Sequence, residues 1–596
     1  MTYKAPTQDM LFNIRHIANI DAIAEMPAYA DAGFDTAQAV LEECAKFNEA
    51  VVAPLNWAGD QNPSHWENFA VKTTPGFKEA FQQYGQAGWQ GLQHPPAYGG
   101  QGLPKTIGAA CGEMLNAANL SFALCPLLTD GAIEALITAA SDELKDRYLA
   151  KLISGEWTGT MNLTEPQAGS DLALVRTKAV PQADGTYRIS GTKIYITYGE
   201  HDMAENIVHL VLARVEGAPA GVKGISLFVV PKVLVNNDGT LGARNDVQCV
   251  SIEHKMGIKA SPTAVLQFGD NGGATGYLVG EENRGLEYMF IMMNAARYAV
   301  GVQGIAIADR AYQKAVTYAR ERVQSRPVDG SMNQSAPIIH HPDVKRMLMT
   351  MRAYTEGCRA LATAAAAAFD AAHHHPDESA RKANKAFYEF MVPLVKGFST
   401  EMSLEVTSLG VQVHGGMGFI EETGAAQYYR DAKILTIYEG TTAIQANDLV
   451  GRKTARDGAQ QALSLASQIA QTESALRASG TDDAQVMADA LQQSRAAFEE
   501  AARFIASNAS TDPNAAFAGS VPYLMLTGNL MAGWQMGRAL LVALSQIEQG
   551  NDKAFMEAKI TTARFYADHL LSRAPGVRDS IVEGAKCVTE LALEAF

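Results

Sequence analysis

The stretch Leu163-Thr164-Glu165-Pro166-Gln167-Ala168-Gly169-Ser170-Asp171 lies where the periodicity of the chain changes. Before it, from about residue 35 to 155, apolar residues recur at helical spacing between breaks rich in glycine and proline. After it, as far as about Val279, β-rich runs such as Lys193–Thr197 and Ile225–Val230 alternate with turn residues. The sequence therefore predicts a helical domain followed by a small β domain.

The helical spacing returns after Arg284 and Gly285, in long segments such as Met289–Arg322 and Ala383–Leu409. Residues beyond about 455 are rich in alanine and leucine and are typical of a further helical bundle. The predicted fold class is mainly α with an inserted β domain. The predicted domains are an N-terminal extension (1–34), an N-terminal helical domain (35–156), a middle β domain (157–280), a C-terminal helical bundle (281–454) and an appended helical domain (455–596).

Composition indicates a globular protein of several domains. A chain of 596 residues with 47% hydrophobic content exceeds what one domain usually holds. Its six cysteines are scattered without a C-x-x-C spacing, which argues against a disulfide framework or a cysteine-rich zinc site. The N-terminus lacks the uninterrupted apolar core of a signal peptide. We expect a cytoplasmic protein.

The charge of the chain argues against a nucleic-acid partner, and its hydropathy argues against a membrane-spanning segment. A formal net charge of -15 repels the phosphate backbone of nucleic acid. The apolar stretch Val521–Leu544 contains Asn529, Gln535 and Arg538, so it is typical of a buried helix. We expect neither a nucleic-acid partner nor a transmembrane segment.

The common catalytic motifs are absent from the sequence, but three polar, glycine-containing stretches remain. No complete G-x-G-x-x-G, G-x-x-x-x-G-K-[ST], H-E-x-x-H or G-x-S-x-G pattern occurs. Three adjacent histidines, His373–His375, cannot all face one way on a helix, so we expect no metal site there. The remaining stretches are 163–171, Val413–Phe419 and Ile437–Thr442.

Glu439 is the candidate base. It follows the apolar run Ile434–Tyr438 and precedes Gly440, and Thr441 or Thr442 can cap the helix that follows. Apolar surroundings raise the pKa of a carboxylate toward neutral pH, where it becomes a useful base. The alternative is a glutamate that complements a helix dipole, and the residues alone favour this alternative because acidic first turns are common.

The other two stretches are open to two interpretations each. The backbone N–H groups and hydroxyls of 164–171 can hold a polar ring edge or a phosphate, or they can form an ordinary turn between domains. Gly415, Gly416 and Gly418 allow a diphosphate to approach the backbone closely, or they simply terminate a helix. For each stretch, the residues alone do not decide between a ligand-binding site and an ordinary turn or helix end.

Five segments, in this order, resemble the acyl-CoA dehydrogenase family over roughly residues 35 to 455. The family patterns P-x-x-Y-G-G-x-G, T-E-P-x-A-G-S-D and K-x-[WY]-I-T are matched by 95–102, 164–171 and 193–197. The stretches 254–263 and 430–441 also look like family signatures. The resemblance implies a helical domain, a small β-barrel and a four-helix bundle, and the region beyond 455 is similar to the C-terminal extension of a bacterial subgroup.

The resemblance also implies a cofactor and a reaction. FAD is the expected cofactor, and Glu439 is the expected base, with its own backbone N–H polarising the thioester carbonyl. The expected product is a trans-2-enoyl-CoA, with electrons passed to electron-transfer flavoprotein. Arg297 matches the arginine that lies near the base and the substrate, and Gly440 is expected at the substrate.

The family's cofactor contacts carry over onto particular residues of this sequence. The residues expected beside the isoalloxazine are Met161 (where many members have an aromatic residue), Leu163, Thr164, Tyr195 and Thr197. Ser170 is expected near the flavin phosphate or the CoA chain, and Thr441 near the cofactor. Arg322, Gln412 and Gly416 are expected to contact the FAD of a neighbouring subunit, which implies a homodimer. The sequence departs from the family at Glu321–Arg326, which replaces the commoner E-R-x-x-F-G.

The sequence leaves the substrate and two rival functions open. The subgroup contains fatty acyl-CoA and 3-methylthiopropanoyl-CoA dehydrogenases. An acyl-CoA oxidase shares the base and the flavin but passes its electrons to oxygen. A non-catalytic, DNA-associated relative of the same fold is opposed by the retained Glu439 and by the net charge of -15.

Overall fold

The computed structural model describes residues 3–596; the first two residues of the predicted N-terminal extension lie outside them. The α-helices are α1 (Thr7–Phe12), α2 (Ile20–Ala24), α3 (Phe34–Phe47), α4 (Leu55–Gln61), α5 (Phe77–Gln86), α6 (Lys105–Ala118), α7 (Leu120–Ala139), α8 (Asp142–Ile153), α9 (Gly285–Glu321), α10 (Pro342–His374), α11 (Glu378–His414), α12 (Ala425–Lys433), α13 (Thr442–Asp448), α14 (Gln460–Ala478), α15 (Asp482–Asn508), α16 (Pro513–Ala518), α17 (Ser520–Glu548), α18 (Lys553–His569), α19 (Ala574–Val582) and α20 (Ala585–Glu590).

The strands lie almost entirely between α8 and α9. They are β1 (His65–Glu67), β2 (Ala70–Lys72), β3 (Trp157–Asn162), β4 (Lys178–Pro181), β5 (Tyr187–Thr197), β6 (Asn206–Val215), β7 (Ser226–Pro231), β8 (Val233–Val235), β9 (Leu241–Arg244), β10 (Val247–Ile252), β11 (Thr263–Phe268) and β12 (Ala274–Val279). The predicted mainly α fold with an inserted β domain is therefore confirmed. The chain divides into two compact units.

The first unit contains Lys46–Leu103 and Ala118–Ala299. Its main sheet has the strand order β10-β11-β5-β12-β7-β6-β3, and β4 pairs with both β5 and β6. β6 runs parallel to β3 and to β4, whereas the other pairs of this sheet are antiparallel. β6 and β7 are buried along nearly their whole length, because apolar clusters cover both faces of this part of the sheet.

A glycine sets how closely a helix approaches this sheet. A Cβ atom added to Gly159 of β3 would lie 2.5 Å from the Cβ of Ala132 on α7. The apolar cluster around this contact contains Leu136, Leu152 and Trp157. The close approach of α7 fixes the end of β3, from which the 163–171 stretch leaves the sheet.

The second unit contains Tyr3–Ala45, Pro104–Ala117 and Val300–Phe596. Its long helices α10 and α11 pack together, and α17 packs against both of them and against α13. Glycines face this contact from both sides. A Cβ on Gly397 of α11 would lie 2.7 Å from Leu524 of α17, and a Cβ on Gly528 of α17 would lie 2.4 Å from Phe398. Residues beyond 455 therefore pack directly on the helices that precede α13.

A buried network of charged side chains joins distant parts of this unit. Arg359 of α10 donates to Asp9 of α1 at 2.6 Å, to Glu113 of α6 at 2.6 Å and to Asp309 of α9 at 3.2 Å. Lys559 of α18 donates to Asp9 and to Glu356. Buried charges are tolerated only when they are paired in this way, so the network requires α1, α6, α9, α10 and α18 to pack together.

Two helices, α7 and α9, are long and apolar enough to cross a membrane by length and composition alone. In the most apolar part of each helix, 78% of α7 and 67% of α9 is buried inside the protein. Core helices of soluble proteins share this property. The apolar stretch Val521–Leu544 lies in α17, whose inner face is buried, as predicted.

Candidate active site

Glu439 lies in a tight turn of the second unit, between a short 3-10 helix (Ile434–Thr436) and α13. Its φ is +54° and that of Gly440 is +89°, so two successive residues adopt the left-handed conformation. Thr441 then caps α13, and its hydroxyl accepts a hydrogen bond from the N–H of Ile444 at 3.3 Å. The carboxylate of Glu439 is half-buried at the entrance of a helix.

The side chains of Lys396 and Gln445 hold the backbone of this turn. The Lys396 Nζ atom donates to the carbonyl of Leu435 at 2.8 Å and to that of Gly440 at 2.6 Å. The amide of Gln445 donates to the carbonyl of Glu439 at 3.3 Å. The turn is therefore held by hydrogen bonds from these side chains in addition to the cap of α13.

The residue before Glu439 is fixed by a chain of hydrogen bonds. The Tyr438 hydroxyl donates to the Oε1 of Gln303 on α9, and the amide of Gln303 donates to the Oδ1 of Asn116 on α6 at 3.0 Å. Burial raises the pKa of Tyr438 well above its ordinary value, and the charges of Glu439 and Asp431 raise it further. Tyr438 is therefore a neutral hydrogen-bond donor at neutral pH.

The 163–171 stretch leaves the end of β3 in the first unit and turns at once. The backbone N–H groups of Glu165 and Ala168 donate to each other's carbonyls at 3.0 and 2.9 Å. The N–H of Ile194 on β5 donates to the carbonyl of Thr164 at 3.0 Å. The Lys193 Nζ atom donates to the carbonyl of Leu163 at 3.0 Å. This stretch is thus attached to β5 by both backbone and side-chain hydrogen bonds.

Glu165 is the centre of this attachment. Its carboxylate accepts from Lys193 at 2.8 Å, from the N–H of Arg176 at 2.7 Å and from the N–H of Thr177 at 3.0 Å. Burial by itself would raise the pKa of Glu165, but the ammonium of Lys193 and the donors of Thr177 and Arg176 lower it to about 2. A permanently ionised carboxylate therefore holds the loop.

The polar groups around this loop fit a planar ligand with a hydrogen-bonding edge. Thr164 and Thr197 are half-buried, and within residues 3–596 their hydroxyls form no hydrogen bond. Tyr195 has a φ of +59° and is 61% exposed, so an aromatic ring stands at the surface two residues before Thr197. Unused hydroxyls beside an aromatic face match the edge and the face of an isoalloxazine. The residues present therefore fit a flavin.

Three other candidate residues of the first unit occupy different environments. Met161 is half-buried in β3 and packs on the apolar cluster below the sheet. Ser170 is exposed at the end of the loop. Arg297 is buried on α9, which is not the environment of an ordinary surface arginine.

Arg322, Gln412 and Gly416 come together in the second unit. Arg322 follows the end of α9, and Gln412 and Gly416 lie on either side of the end of α11. The rings of Tyr318 and His414 stack at 4.4 Å between centroids and so join the two helix ends. All three candidate residues are exposed, and a Cβ on Gly416 would meet no atom within 4 Å. The surface they share is open to a ligand or to another chain.

The structure groups the candidate residues into two sets. Met161, Leu163, Thr164, Ser170, Tyr195, Thr197 and Arg297 belong to the first unit, and Arg322, Gln412, Gly416, Glu439, Gly440 and Thr441 belong to the second. The sequence interpretation missed Lys396 and Gln445 beside Glu439, and Lys193 beside Leu163. A signal existed for Lys396, because it is the single charge in the apolar run 390–398.

Comparison with family models covers nearly the whole chain. The models described as acyl-CoA dehydrogenase N-terminal, middle and C-terminal domains match residues 35–156, 160–271 and 283–453. A fourth model, described as acetyl-CoA dehydrogenase C-terminal like, matches residues 465–592.

Similar proteins extend over the full length. The chain is 57% identical to a 3-methylmercaptopropionyl-CoA dehydrogenase of Ruegeria pomeroyi, over 96% of each chain. It is 36% identical to a broad-specificity linear acyl-CoA dehydrogenase of Mycobacterium tuberculosis, over 100% of each. The solved structure of an acyl-CoA dehydrogenase complexed with FAD from Bacillus anthracis is 24% identical, with a TM-score of 0.73 over 94% of this chain and 90% of that one. The fold implied by the sequence motifs is confirmed, including the helical extension beyond residue 455.

Proposed function

Because the chain belongs to the acyl-CoA dehydrogenase family, we propose that its substrate is 3-methylmercaptopropionyl-CoA and that Glu439 is its catalytic base. The protein is an FAD-dependent enzyme that converts an acyl-CoA thioester to its trans-2-enoyl-CoA. The observation that supports this substrate is the 57% identity to a dehydrogenase named for it, against 36% to one of broad specificity for linear chains.

The proposed role of Glu439 follows from its position in the turn. Its carboxylate takes the proton from the α-carbon of the thioester, and its backbone N–H polarises the thioester carbonyl, so that negative charge on the oxygen is stabilised. Bound FAD supplies the oxidant, which accepts the β-hydrogen together with its electron pair. The C–H bonds at the α- and β-carbons break and one C=C bond forms between them.

The residues of the first unit bind and orient the cofactor in this proposal. The hydroxyls of Thr164 and Thr197 and the ring of Tyr195 would hold the isoalloxazine. Leu163 and Met161 would add apolar contacts, and Ser170 would bind a phosphate. Attachment of the loop through Lys193 and Glu165 keeps these groups in place before the cofactor binds.

The chemistry of the thioether supports this substrate over a plain alkyl chain of the same length. In 3-methylmercaptopropionyl-CoA the sulfur is bonded to the β-carbon, from which hydride leaves. Its lone pairs stabilise the positive charge that develops there. In pentanoyl-CoA a methylene group replaces the sulfur and gives no such stabilisation, so the two thioesters form a matched pair.

The test is an anaerobic titration of the flavin absorbance of the purified holoenzyme with 3-methylmercaptopropionyl-, butanoyl-, pentanoyl-, octanoyl- and palmitoyl-CoA. We expect the thioether to reduce the flavin fastest, with kcat/KM at least about tenfold above pentanoyl-CoA, equivalent to ~1.4 kcal/mol. If kcat/KM for pentanoyl-CoA and octanoyl-CoA equals that for the thioether, the protein is a broad-specificity enzyme. A flavin that stays oxidised with every thioester would reject the proposed reaction.

The electron acceptor and the assembly are part of the same proposal. We place electron-transfer flavoprotein as the acceptor, a homodimer as the active unit and the cytoplasm as the location. Arg322, Gln412 and Gly416 support the dimer, since they form an open surface at two adjoining helix ends. Reoxidation of the reduced enzyme in air as fast as with electron-transfer flavoprotein would instead identify an oxidase.

A further inference from the structure

A buried ammonium group lies directly behind the turn that carries Glu439. Lys396 is in the middle of α11 and has no exposed surface. Its Nζ atom donates to the carbonyl of Leu435 at 2.8 Å and to the carbonyl of Gly440 at 2.6 Å. Leu435 precedes Glu439 by four residues and Gly440 follows it. One side chain therefore holds both ends of the segment 435–440.

The segment needs such support because its backbone is strained. Glu439 has a φ of +54°, a conformation that side chains other than glycine adopt only at a cost. Gly440 has a φ of +89°, and a Cβ there would lie 2.7 Å from the amide nitrogen of Gln445. Residues in sparsely populated conformations persist only where surrounding contacts fix them.

The other side-chain contacts of the turn come from uncharged donors. Gln445 donates to the carbonyl of Glu439 at 3.3 Å, and the hydroxyl of Thr442 donates to Glu401 at 2.5 Å. The hydroxyl of Thr442 also reaches the carbonyl of Thr436, which precedes Glu439, but only at 3.4 Å. Lys396 forms the two shorter backbone contacts, one on each side of Glu439, at 2.8 and 2.6 Å.

A lysine in this place is costly to bury, which makes its contacts significant. An ammonium group removed from water loses its hydration, whereas a methionine of similar length would fill the same space at no such cost. The backbone of the next residue, Gly397, packs against Gln445 of α13, so α11 and the turn are in direct contact. The cation is therefore held at a fixed distance from the turn by the packing of its own helix.

We propose that Lys396 is a positioning residue that holds the segment 435–440 in the conformation that presents Glu439 to the substrate. The inference rests on the proposed role of Glu439 as the base. Lys396 acts through the two carbonyls and not on the thioester itself. Its loss displaces the carboxylate, and a displacement of about 1 Å is enough to slow a reaction about a hundredfold.

The kinetic test compares Lys396→Met, which loses the charge and both donors, with Lys396→Gln, which keeps one neutral donor. We expect Lys396→Met to slow flavin reduction about 10- to 100-fold while the apparent Kd of the thioester changes less than about threefold. Lys396→Gln should recover part of the rate.

The matched control is Lys559→Met, which removes another buried lysine from the same unit, far along the chain from the turn. It should melt at a lower temperature but keep the wild-type rate per bound FAD.

A second measurement needs no substrate and so separates this inference from the proposed function. Amide hydrogen exchange of the holoenzyme should be at least about tenfold faster in peptides covering 435–441 in Lys396→Met, and unchanged there in Lys559→Met. Wild-type exchange and a wild-type rate in Lys396→Met would overturn the inference. So would a rate per FAD that stays normal while only the melting temperature falls, as in Lys559→Met. If no thioester reduces the wild-type flavin, the proposed function fails and the exchange experiment still decides the role of Lys396.

Discussion

The Nζ atom of Lys193 donates to Oε1 of Glu165 across 2.8 Å, and the two side chains are only 0% and 3% exposed. The same ammonium donates to the carbonyl of Leu163. This buried ion pair therefore attaches the 163–171 stretch to β5. A buried pair is not a general source of stability, but removal of one partner leaves an uncompensated charge.

Lys193→Met should destabilise the first unit and weaken FAD binding, because the carboxylate of Glu165 stays buried without its cation. The expected cost is about 3 to 5 kcal/mol. The measurements are the FAD content after gel filtration and the melting temperature. Lys178→Met, an exposed lysine on β4, is the control and should leave both unchanged. The double variant Lys193→Met/Glu165→Gln should be more stable than Lys193→Met alone, and an additive loss would contradict the pairing.

Glu439→Gln should keep FAD but lose flavin reduction by acyl-CoA. A neutral amide of nearly the same shape preserves the turn while it removes the proton acceptor. We expect the rate of flavin reduction to fall at least about a hundredfold, as is typical when a general base is lost. The measurement is rapid-mixing absorbance under anaerobic conditions. Near-normal reduction in this variant would remove Glu439 from its assigned role.

The long elements and the motif positions could be predicted from the sequence because their signals are local. The helical spacing of Met289–Arg322 corresponds to α9, and the run Lys193–Thr197 lies at the end of β5. The position of Glu439 before a capped helix was likewise predicted from the residues around it, with Thr441 or Thr442 as the cap, and the structure has Thr441 there. Periodicity and capping depend on neighbours within a few residues.

The contacts that complete these elements could not be predicted, because their partners are far apart in sequence. Asp370 of α10 accepts from the N–H groups of Lys105 and Thr106 at 2.7 and 2.9 Å, and so caps α6 from more than 260 residues away. The carbonyls that Lys396 holds are about 40 residues away from it. No local pattern encodes such pairs. α13 also continues as a π-helix over Leu449–Ala455, which helical spacing in the sequence does not distinguish from an α-helix.

His94 should make the stability of the first unit depend on pH. Its Nε2 atom lies 2.9 Å from Asp130 and its Nδ1 atom 3.3 Å from Glu134. Burial alone would lower the pKa of His94, but hydrogen bonds and charges from both carboxylates raise it to about 9. A pKa raised above the unfolded value of about 6.5 gives stability that is complete below that pH and is lost as the pH rises through about 9.

The test of this dependence compares the wild type with His94→Gln between pH 6.5 and 9.5. The wild type should be more stable by about 2 to 3 kcal/mol at pH 6.5, and the difference should shrink toward pH 9.5. Differential scanning calorimetry at each pH measures it. A difference that stays constant over the range would mean that His94 does not titrate there.

The helices beyond residue 455 should be required for the second unit to fold. Lys559 of α18 is buried against Glu356 and Asp9, and Leu524 of α17 packs against Gly397. A chain that ends at residue 455 exposes the apolar faces of α10 and α11 and leaves the carboxylates of Asp9 and Glu356 without Lys559. We expect this truncated chain to be insoluble or to lack cooperative unfolding, measured by solubility and by circular dichroism on heating.

Lys559→Met should lower the melting temperature in the full chain, whereas Lys553→Met, exposed at the start of the same helix, should not. A truncated chain that binds FAD and turns over substrate at the wild-type rate would show that the extension is separable, and that the buried network of Asp9, Glu356 and Lys559 does not hold the bundle together.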